Sequence, residues 1–325
     1  MGKSNGSSSQ AWALGGGHSL SGGHGGGHGG GHGGGHGGGH GGGHGLRFGV
    51  DVGLLSSALT STMAGIGQPD ATGLFTPPGN QSVVDTLKRW DSWTIPYVVM
   101  PDLLSGFAAT KSKGELKVSF DSDSFTLKLP AYASKDIADV VDAAALRNER
   151  SAEILAQAQS CLPFWASLVP MDRQQTPATL ILLDCAYEFI KTLELRAKHE
   201  LGCRRPWELS PQVQPMIPTP GHGGFPVGHA AEAALFAQLL KTLTRPARPS
   251  TSTYGHLVQQ LDRLAHRIGE NRVIAGVHFR CDLSPSYEFG AWVATVFQAR
   301  CAGNGVLNEL WTHSKQELRR RLWGK

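Results

Sequence analysis

Cysteines are scarce in this sequence, and they are not paired. Five occur among 325 residues, and no two of them have the CxxC spacing. They are Cys161, Cys185, Cys203, Cys281 and Cys301. Such scattered cysteines fit neither a disulfide framework nor a cysteine zinc site, so reduced thiols in a cytoplasm are the simplest interpretation.

Long runs of one chemical kind are also missing. No apolar stretch reaches the roughly eighteen residues of a membrane span, and no apolar segment follows a basic start at the N-terminus. We therefore expect a soluble, cytoplasmic protein. The net charge is only +4 and the basic residues are not gathered into runs, so the sequence gives no indication of nucleic-acid binding.

The amino-acid composition of the chain changes after Gly45. From Gly15 to Gly45 it is almost purely glycine and histidine, in GGGH repeats, and such a segment cannot form a core. We expect residues 1–45 to be a disordered tail and residues 46–325 to be a single helical domain. The histidines of the tail could bind a divalent metal weakly. Alternatively, the tail is solvated and its histidines only take up and release protons.

Hydrophobic periodicity within the domain predicts mainly helices. Helices are expected over 134–160, 176–201, 229–243, 254–272, 286–301 and 306–322, after an irregular lead-in over 46–110. Ser134 and Thr176 are the expected caps of the first two helices. Apolar residues alternate on both sides of the DSDS turn at 121–124 and predict one small β-hairpin. The expected fold class is therefore mainly α, a helical bundle with one small β-hairpin.

A cationic pair lies near the end of the second expected helix, in the segment KHELGCRRP. Lys198 and Arg205 are seven residues apart, so a continuous helix would place both side chains on one face. A basic helix end that offsets the macrodipole is the alternative explanation. The pair alone therefore does not define a site.

A loop rich in proline and glycine, PTPGHGGFPVGH, leads into the third expected helix. His229 lies in its first turn, where the backbone N–H groups of Gly228 and His229 have no intrahelical acceptor and could bind an anion. An imidazole there would titrate near neutrality, which suits proton transfer. An exposed histidine at a helix start is the alternative.

The segment ENRVIAGVHFRCD contains an arginine, a histidine and an aspartate. Asp282 follows His278 by four residues, so its carboxylate could accept the imidazole N–H and leave the other nitrogen free as nucleophile or metal ligand. Arg272 precedes His278 by six residues and would not share a helix face with it. We therefore expect a bend between them, with Gly276 as its candidate position.

Together these segments supply the groups that would bind a tetrahedral or trigonal oxyanion. Charge-assisted hydrogen bonds contribute about 1.5 to 3 kcal/mol each, so several bonds to one phosphate or vanadate would outweigh the cost of taking it out of water. We therefore expect segments 198–206, 226–229 and 272–282 to converge on one pocket.

The motifs K-x6-R-P, P-x-G-H and R-x5-H-x3-D, in this order, resemble the three-part signature of the vanadium-dependent haloperoxidase and type 2 phosphatidic acid phosphatase superfamily. The resemblance covers roughly residues 135–300, and the sequence RPWELSPQVQPMIPTPGH is similar to bacterial haloperoxidase-like members. The resemblance implies a helical bundle of the haloperoxidase and acid phosphatase type.

The resemblance also implies a role for each matched residue. The oxyanion-binding positions would be Lys198, Arg205, Val227, Gly228 and Arg272. His278 would be the apical vanadium ligand in a peroxidase, or the phosphorylated residue in a phosphatase. His229 would be the general acid–base, and Asp282 would orient His278.

One position in the second motif and one in the loop before it bear on activity. Val227 stands where the family has serine, and the lost hydroxyl donor is expected to weaken oxyanion binding by about 1 to 3 kcal/mol and to leave the valine against a polar ligand. His222 resembles the position at which bromoperoxidases carry a histidine. It is a candidate auxiliary residue for proton or halide handling, and a surface loop histidine is the alternative.

Three functions remain open on these grounds. The first is a vanadate-dependent haloperoxidase that oxidises halide with hydrogen peroxide and has vanadate as its cofactor. The second is an acid phosphatase that hydrolyses phosphomonoesters through a phosphohistidine without a cofactor. The third is an oxyanion- or metal-binding protein with weakened catalysis, which Val227 and the GGGH tail favour. Small molecules are the expected substrates, and the eight tryptophans suit core and subunit contacts, as in a homo-oligomer.

Overall fold

The computed structural model describes residues 90–247, 251–303 and 305–324. The expected disordered tail at 1–45 and most of the expected lead-in lie outside these residues. Within them the chain is mainly helical, with one small antiparallel sheet, as the sequence predicted. The α-helices are α1 (Ile95–Leu103), α2 (Ser134–Ala143), α3 (Arg147–Gln159), α4 (Leu162–Leu168), α5 (Pro177–Leu201), α6 (Pro206–Leu209), α7 (Gly228–Thr244), α8 (Thr251–Ile274), α9 (Leu283–Cys301) and α10 (Val306–Trp323).

The sheet has three strands in the order β1 (Phe107–Ser112), β2 (Glu115–Phe120) and β3 (Asp123–Lys128). The expected hairpin is β2 with β3, and β1 adds a strand that the sequence did not predict. The sheet packs on the bundle through aromatic contacts. The ring centroid of Phe120 lies 5.6 Å from that of Phe189 in α5, and the centroid of Phe125 lies 5.8 Å from that of Phe289 in α9.

The core of the bundle surrounds helix α7. This helix is rich in alanine and leucine, and side chains all around it are buried. A helix that is apolar on every side belongs inside a bundle, and α7 packs against α5, α8, α9 and α10. Its N-terminus therefore lies among the ends of other helices, which brings the predicted motifs together.

Helix α5 ends earlier than a continuous helix through Arg205 would require. Pro177 begins it, where the missing N–H costs nothing, and Gly202 ends it in the left-handed conformation with φ of 60°. The Gly202 N–H donates to the Lys198 carbonyl at 3.0 Å. Lys198 and Arg205 consequently do not share one helix face.

The single helix expected over 134–160 is divided in the structure. A 3-10 turn at Ala144–Leu146 separates α2 from α3. Helices α1, α4 and α6 were not predicted from the sequence. Each begins with a proline at one of its first two positions and has at most nine residues, too few for a helical period to stand out.

Two further predictions from the sequence concern disulfides and membrane-spanning helices. All five cysteines are free, as their spacing predicted. None of the helices in these ranges combines the length and the apolar character needed to cross a bilayer.

Candidate functional site

An open cavity of about 420 Å³, including the space at its mouth, lies at the N-terminus of α7. The ends of α5 and α8 and the loops after them form the rest of its wall. Seven of the residues singled out in the sequence line it: Lys198, Arg205, His222, Gly228, His229, Arg272 and His278. The three signature segments therefore converge on one pocket, whose remaining wall includes Ile217, Pro218, Pro220 and Val277.

Lys198 lies in the last turn of α5 and is only 2% exposed. Its Nζ donates to the carbonyl oxygen of Pro226, in the loop that precedes α7. Burial lowers the pKa of Lys198, and the nearby carboxylate of Glu194 opposes that effect. The ammonium thus connects α5 to the start of α7.

Arg205 lies in extended backbone just before α6, where its N–H donates to Glu208 Oε2 at 2.6 Å. Arg205 lines the pocket and is 3% exposed. Nη1 donates to the Val277 carbonyl at 3.0 Å, and Nε donates to the His222 carbonyl at 3.3 Å. These contacts fix the guanidinium between the two loops that flank α7 and α8.

Arg272 is the least exposed of the three cations, at 1%. Its Nη2 donates to Gln157 Oε1 at 3.1 Å and to the Ile154 carbonyl at 3.3 Å, both in α3. Nε and Nη1 are buried and have no hydrogen-bond partner within the described ranges. Arg272 is also one of the residues that line the cavity, so a buried cation with two unpartnered donors lies at its wall.

His278 follows the expected bend. Helix α8 ends at Ile274, Gly276 has a φ of 79°, and the Val277 N–H donates back to the Arg272 carbonyl at 3.1 Å. The Nε2 atom of His278 lies 3.3 Å from Arg205 Nη1. A guanidinium can only donate, so Nε2 is the unprotonated nitrogen in this arrangement. Burial, with Arg205 and Lys198, lowers the pKa of His278 well below its usual value, which favours the neutral ring.

The predicted contact between Asp282 and His278 is not present. Asp282 Oδ1 accepts from the Tyr132 hydroxyl at 2.7 Å, and Oδ2 accepts from the Phe279 N–H at 3.2 Å. His278 Nδ1 is buried without a hydrogen-bond partner in the described part of the chain. The prediction assumed helical spacing, whereas Phe279 is extended and a 3-10 turn begins only at Arg280. Burial raises the pKa of Asp282 to about 7.

Val227 also differs from its expected position against the ligand. Its side chain is fully buried in an apolar cluster that includes Ile154 and Val273, and it is not part of the cavity wall. Its N–H donates to Ser286 Oγ at 2.8 Å, and that hydroxyl donates to the Asp282 carbonyl at 2.6 Å. The backbone of Val227 is therefore bound to α9 and its side chain belongs to the core.

His222, in the loop before α7, and His229, at the start of α7, both line the cavity. His229 lies in the first turn of α7, with Nε2 at 3.4 Å from the Gln157 carbonyl. Nδ1 of His222 lies 3.1 Å from the Gly223 carbonyl and 3.4 Å from Arg205 Nη2. Burial, together with Lys198, lowers the pKa of His222 to about 4, so this ring adds no positive charge near neutrality.

The sequence-based prediction missed one charged residue of the pocket, Glu194. It lies one turn before Lys198 in α5, lines the cavity and is 2% exposed. Burial raises its pKa to about 7, and Lys198 is the main opposing influence. The spacing of four residues between Glu194 and Lys198 was the available signal, because such pairs share a helix face.

The donor set of this pocket fits an oxyanion better than a bare cation. Three buried cations and the first-turn N–H groups of α7 are arranged around it, which favours negative charge. Among the described residues, no group of three or more His, Cys, Asp and Glu side chains is placed to hold a metal ion. Vanadate or phosphate therefore matches the lining.

No family model matches the sequence, and no curated protein matches it either. The superfamily named above is thus a resemblance carried by three motifs. The pocket adds that six residues of these motifs line one cavity: Lys198, Arg205, Gly228, His229, Arg272 and His278.

Proposed function

We propose that this protein binds a tetrahedral oxyanion in the pocket and, with vanadate bound, oxidises halide with hydrogen peroxide. Arg272 carries the proposal. Its guanidinium is almost completely buried, yet two of its nitrogens have no partner within the described residues. Buried charged groups are normally paired, because an unpaired one costs several kcal/mol. An anion in the cavity would supply the missing acceptors.

The residues that would hold vanadate follow from the cavity wall. Lys198, Arg205 and Arg272 would donate to its oxygens, together with the N–H groups in the first turn of α7. His278 Nε2, unprotonated and beside Arg205, would be its protein ligand. Bound vanadate would supply the Lewis-acid centre that activates peroxide for halide oxidation. His229 lines the same cavity and would serve as the proton donor and acceptor there.

Phosphomonoester hydrolysis is a second candidate, supported by the state of His278. A buried, neutral imidazole with an unprotonated Nε2 is a competent nucleophile. Nε2 would form a bond to phosphorus while the ester oxygen leaves with a proton from His229. Water would then break the nitrogen–phosphorus bond and return the proton to His229. Both activities need the same three cations, which stabilise charge on the oxyanion.

Two parallel assays test these proposals on the full chain. Vanadate-loaded protein is assayed for bromination of an activated diketone with hydrogen peroxide, and vanadate-free protein for phosphate release from an aryl phosphate. We expect bromination, reduced by at least about a hundredfold in His278→Ala, because loss of a nucleophile or ligand removes a full catalytic interaction. The control is His313→Ala, which changes an exposed histidine of α10 and should leave the rate unchanged.

The outcome of the pair of assays separates the candidates. Phosphate release that vanadate inhibits, without bromination, would replace the peroxidase proposal by the phosphatase. Silence in both assays with retained phosphate binding would leave a binding protein. Wild-type rates in His278→Ala would overturn both enzymatic proposals.

A further inference from the structure

We propose that Glu194 makes this pocket selective for oxyanions that carry a proton, such as phosphate and vanadate, over those that carry none at neutral pH, such as sulfate and molybdate. The inference rests on the proposed oxyanion site and specifies the class of anion that it accepts.

The position of Glu194 puts a carboxyl group inside a cationic pocket. Its side chain lines the same cavity as Lys198 and Arg205 and is 2% exposed. Oε2 is buried and has no hydrogen-bond partner in the described part of the chain. A buried, unpartnered carboxyl oxygen is costly unless a ligand contributes the missing donor.

The carboxyl group also lies directly against the proposed anion-binding turn. A Cβ placed on Gly228 would come within 2.7 Å of Glu194 Oε2 and 2.8 Å of Oε1. The absence of a side chain at Gly228 therefore allows the carboxyl group to approach the first turn of α7. An anion bound by the N–H groups of that turn would have Glu194 as its neighbour.

A carboxylate distinguishes anions that can donate a hydrogen bond from anions that cannot. Sulfate and molybdate have only acceptor oxygens near neutrality, so next to an ionised carboxylate they face a like charge without a shared proton. Hydrogen phosphate and dihydrogen vanadate each carry a hydroxyl that can donate to Glu194. The proton shared by the anion and the Glu194 carboxylate then replaces their repulsion by a charge-assisted hydrogen bond.

The surroundings of Glu194 bring the pKa of its carboxyl group close to neutral pH. Burial raises the pKa of Glu194 to about 7 and Lys198, Lys191 and Arg205 oppose the increase. Glu232 in α7 is a second buried acid near it, and Glu194 raises the pKa of Glu232 further. Above pH 7, sulfate could bind well only after Glu194 took up a proton, whereas phosphate brings its own.

A purely structural role for Glu194 predicts a different result. If Glu194 only neutralised Lys198, its replacement by glutamine would tighten the binding of every anion by a similar factor. The ratio of the phosphate and sulfate affinities would then stay the same. Selectivity, and not affinity, is the quantity that tests the proposal.

The experiment measures the dissociation constants of phosphate, sulfate and molybdate by calorimetry at about pH 8. We expect the wild-type protein to prefer phosphate over sulfate by at least about tenfold, because a site built to bond a ligand hydroxyl rejects an analogue without it. In Glu194→Gln the ratio should fall towards one as sulfate binding tightens. Glu200→Gln, which alters a surface ion pair with Arg196 on the same helix, should keep the wild-type ratio.

Wild-type protein alone provides a second measurement that does not depend on the folding of a variant. Its sulfate affinity should increase as the pH is lowered below about 7, where Glu194 gains a proton. Equal affinities for phosphate and sulfate at about pH 8 would overturn the inference while leaving the oxyanion pocket intact. An unchanged ratio in Glu194→Gln would overturn it in the same way. Failure of all three anions to bind would overturn the proposed function together with it.

Discussion

The sequence and the structure lead to different interpretations of Val227. In the sequence, it marks the loss of a hydroxyl that would donate to the oxyanion. In the structure, its side chain fills an apolar cluster between α3 and α8, and only its backbone continues into the first turn of α7. The pocket therefore keeps the N–H groups of the first turn of α7 whether or not a hydroxyl is present at position 227.

Replacing Val227 by serine should reduce stability without improving anion binding. The change removes buried methyl groups and adds a polar group to an apolar cluster, so the free energy of unfolding should fall by about 1 to 3 kcal/mol. The phosphate dissociation constant should stay within about twofold of the wild type, because the side chain does not line the cavity. Urea unfolding and calorimetry measure the two quantities.

Val227→Ala is the matched control for this prediction, because it removes the same methyl groups without adding a hydroxyl. It should also destabilise the protein, by a smaller amount than serine. Tighter phosphate binding in Val227→Ser alone would show that the hydroxyl does reach the anion, as the family resemblance implied.

At this scale, the residue types and their spacing predicted which side chains meet, but not every contact they make. Lys198, Arg205 and Arg272 were expected around one pocket and line one cavity. The Asp282–His278 contact was wrong because a spacing of four residues brings side chains together only on a continuous helix. The Asp282 carboxylate instead caps the 3-10 turn and binds Tyr132, a residue 150 positions away that no local pattern indicates.

Gly276 is the point at which the end of α8 turns towards the pocket. Its φ of 79° lies in the left-handed region, and a Cβ there would come within 2.8 Å of Arg147 Nη2. The next two residues are Val277, whose carbonyl accepts from Arg205, and His278. The conformation of one glycine thus determines how two pocket groups are presented.

Gly276→Ala should therefore weaken both the fold and the site. A non-glycine residue in this conformation costs about 1 to 2 kcal/mol, and any backbone movement that relieves the strain displaces His278. We expect that loss in the free energy of unfolding and a phosphate dissociation constant raised by at least about fivefold. Unfolding by urea and phosphate calorimetry measure these effects.

Gly255→Ala offers a control in α8, the helix that ends just before Gly276, and its expected effect on stability has the opposite sign. Gly255 lies within α8, and nothing lies within 4 Å of a Cβ added there. Alanine should stabilise the helix by up to about 1 kcal/mol and leave phosphate binding unchanged. Equal effects of the two substitutions would show that the bend at Gly276 does not position the site.

Helices were predicted well where they are long and periodic. The sequence placed the ends of α5, α7 and α10 within one or two residues of their observed bounds. The short α1, α4 and α6 offered no period to detect, and the 3-10 turn between α2 and α3 does not interrupt the apolar pattern. Strand β1 was missed because its sequence, FAATKS, does not alternate apolar and polar residues, in contrast to ELKVSF in the neighbouring β2.

In the molecule as a whole, the site lies where several helix ends meet around the N-terminus of a buried helix. The arrangement concentrates buried titratable groups in one region: three cations, and the acids Glu194, Glu232 and Asp282. Their pKa values are displaced mainly by burial. The stability of the protein should therefore depend on pH through groups inside the site as well as through surface charges.

Glu194 allows this dependence to be isolated in one variant. Its pKa is raised from 4.5 to about 7 on folding, so the folded state binds a proton more strongly than the unfolded state. That contribution to stability is fully present below about pH 4.5 and is lost as the pH rises through 7. Glutamine cannot ionise and mimics the protonated acid at every pH.

Glu194→Gln should consequently be more stable than the wild type at about pH 8, by about 1 to 3 kcal/mol, and close to it at about pH 4. Urea unfolding of both proteins across this range, without phosphate, measures the difference. Glu200→Gln should change the free energy of unfolding by less than about 1 kcal/mol, because a partly exposed ion pair contributes little. A difference between Glu194→Gln and the wild type that decreases with rising pH would mean that the carboxylate is stabilised in the pocket, since the cations around it would then outweigh its burial.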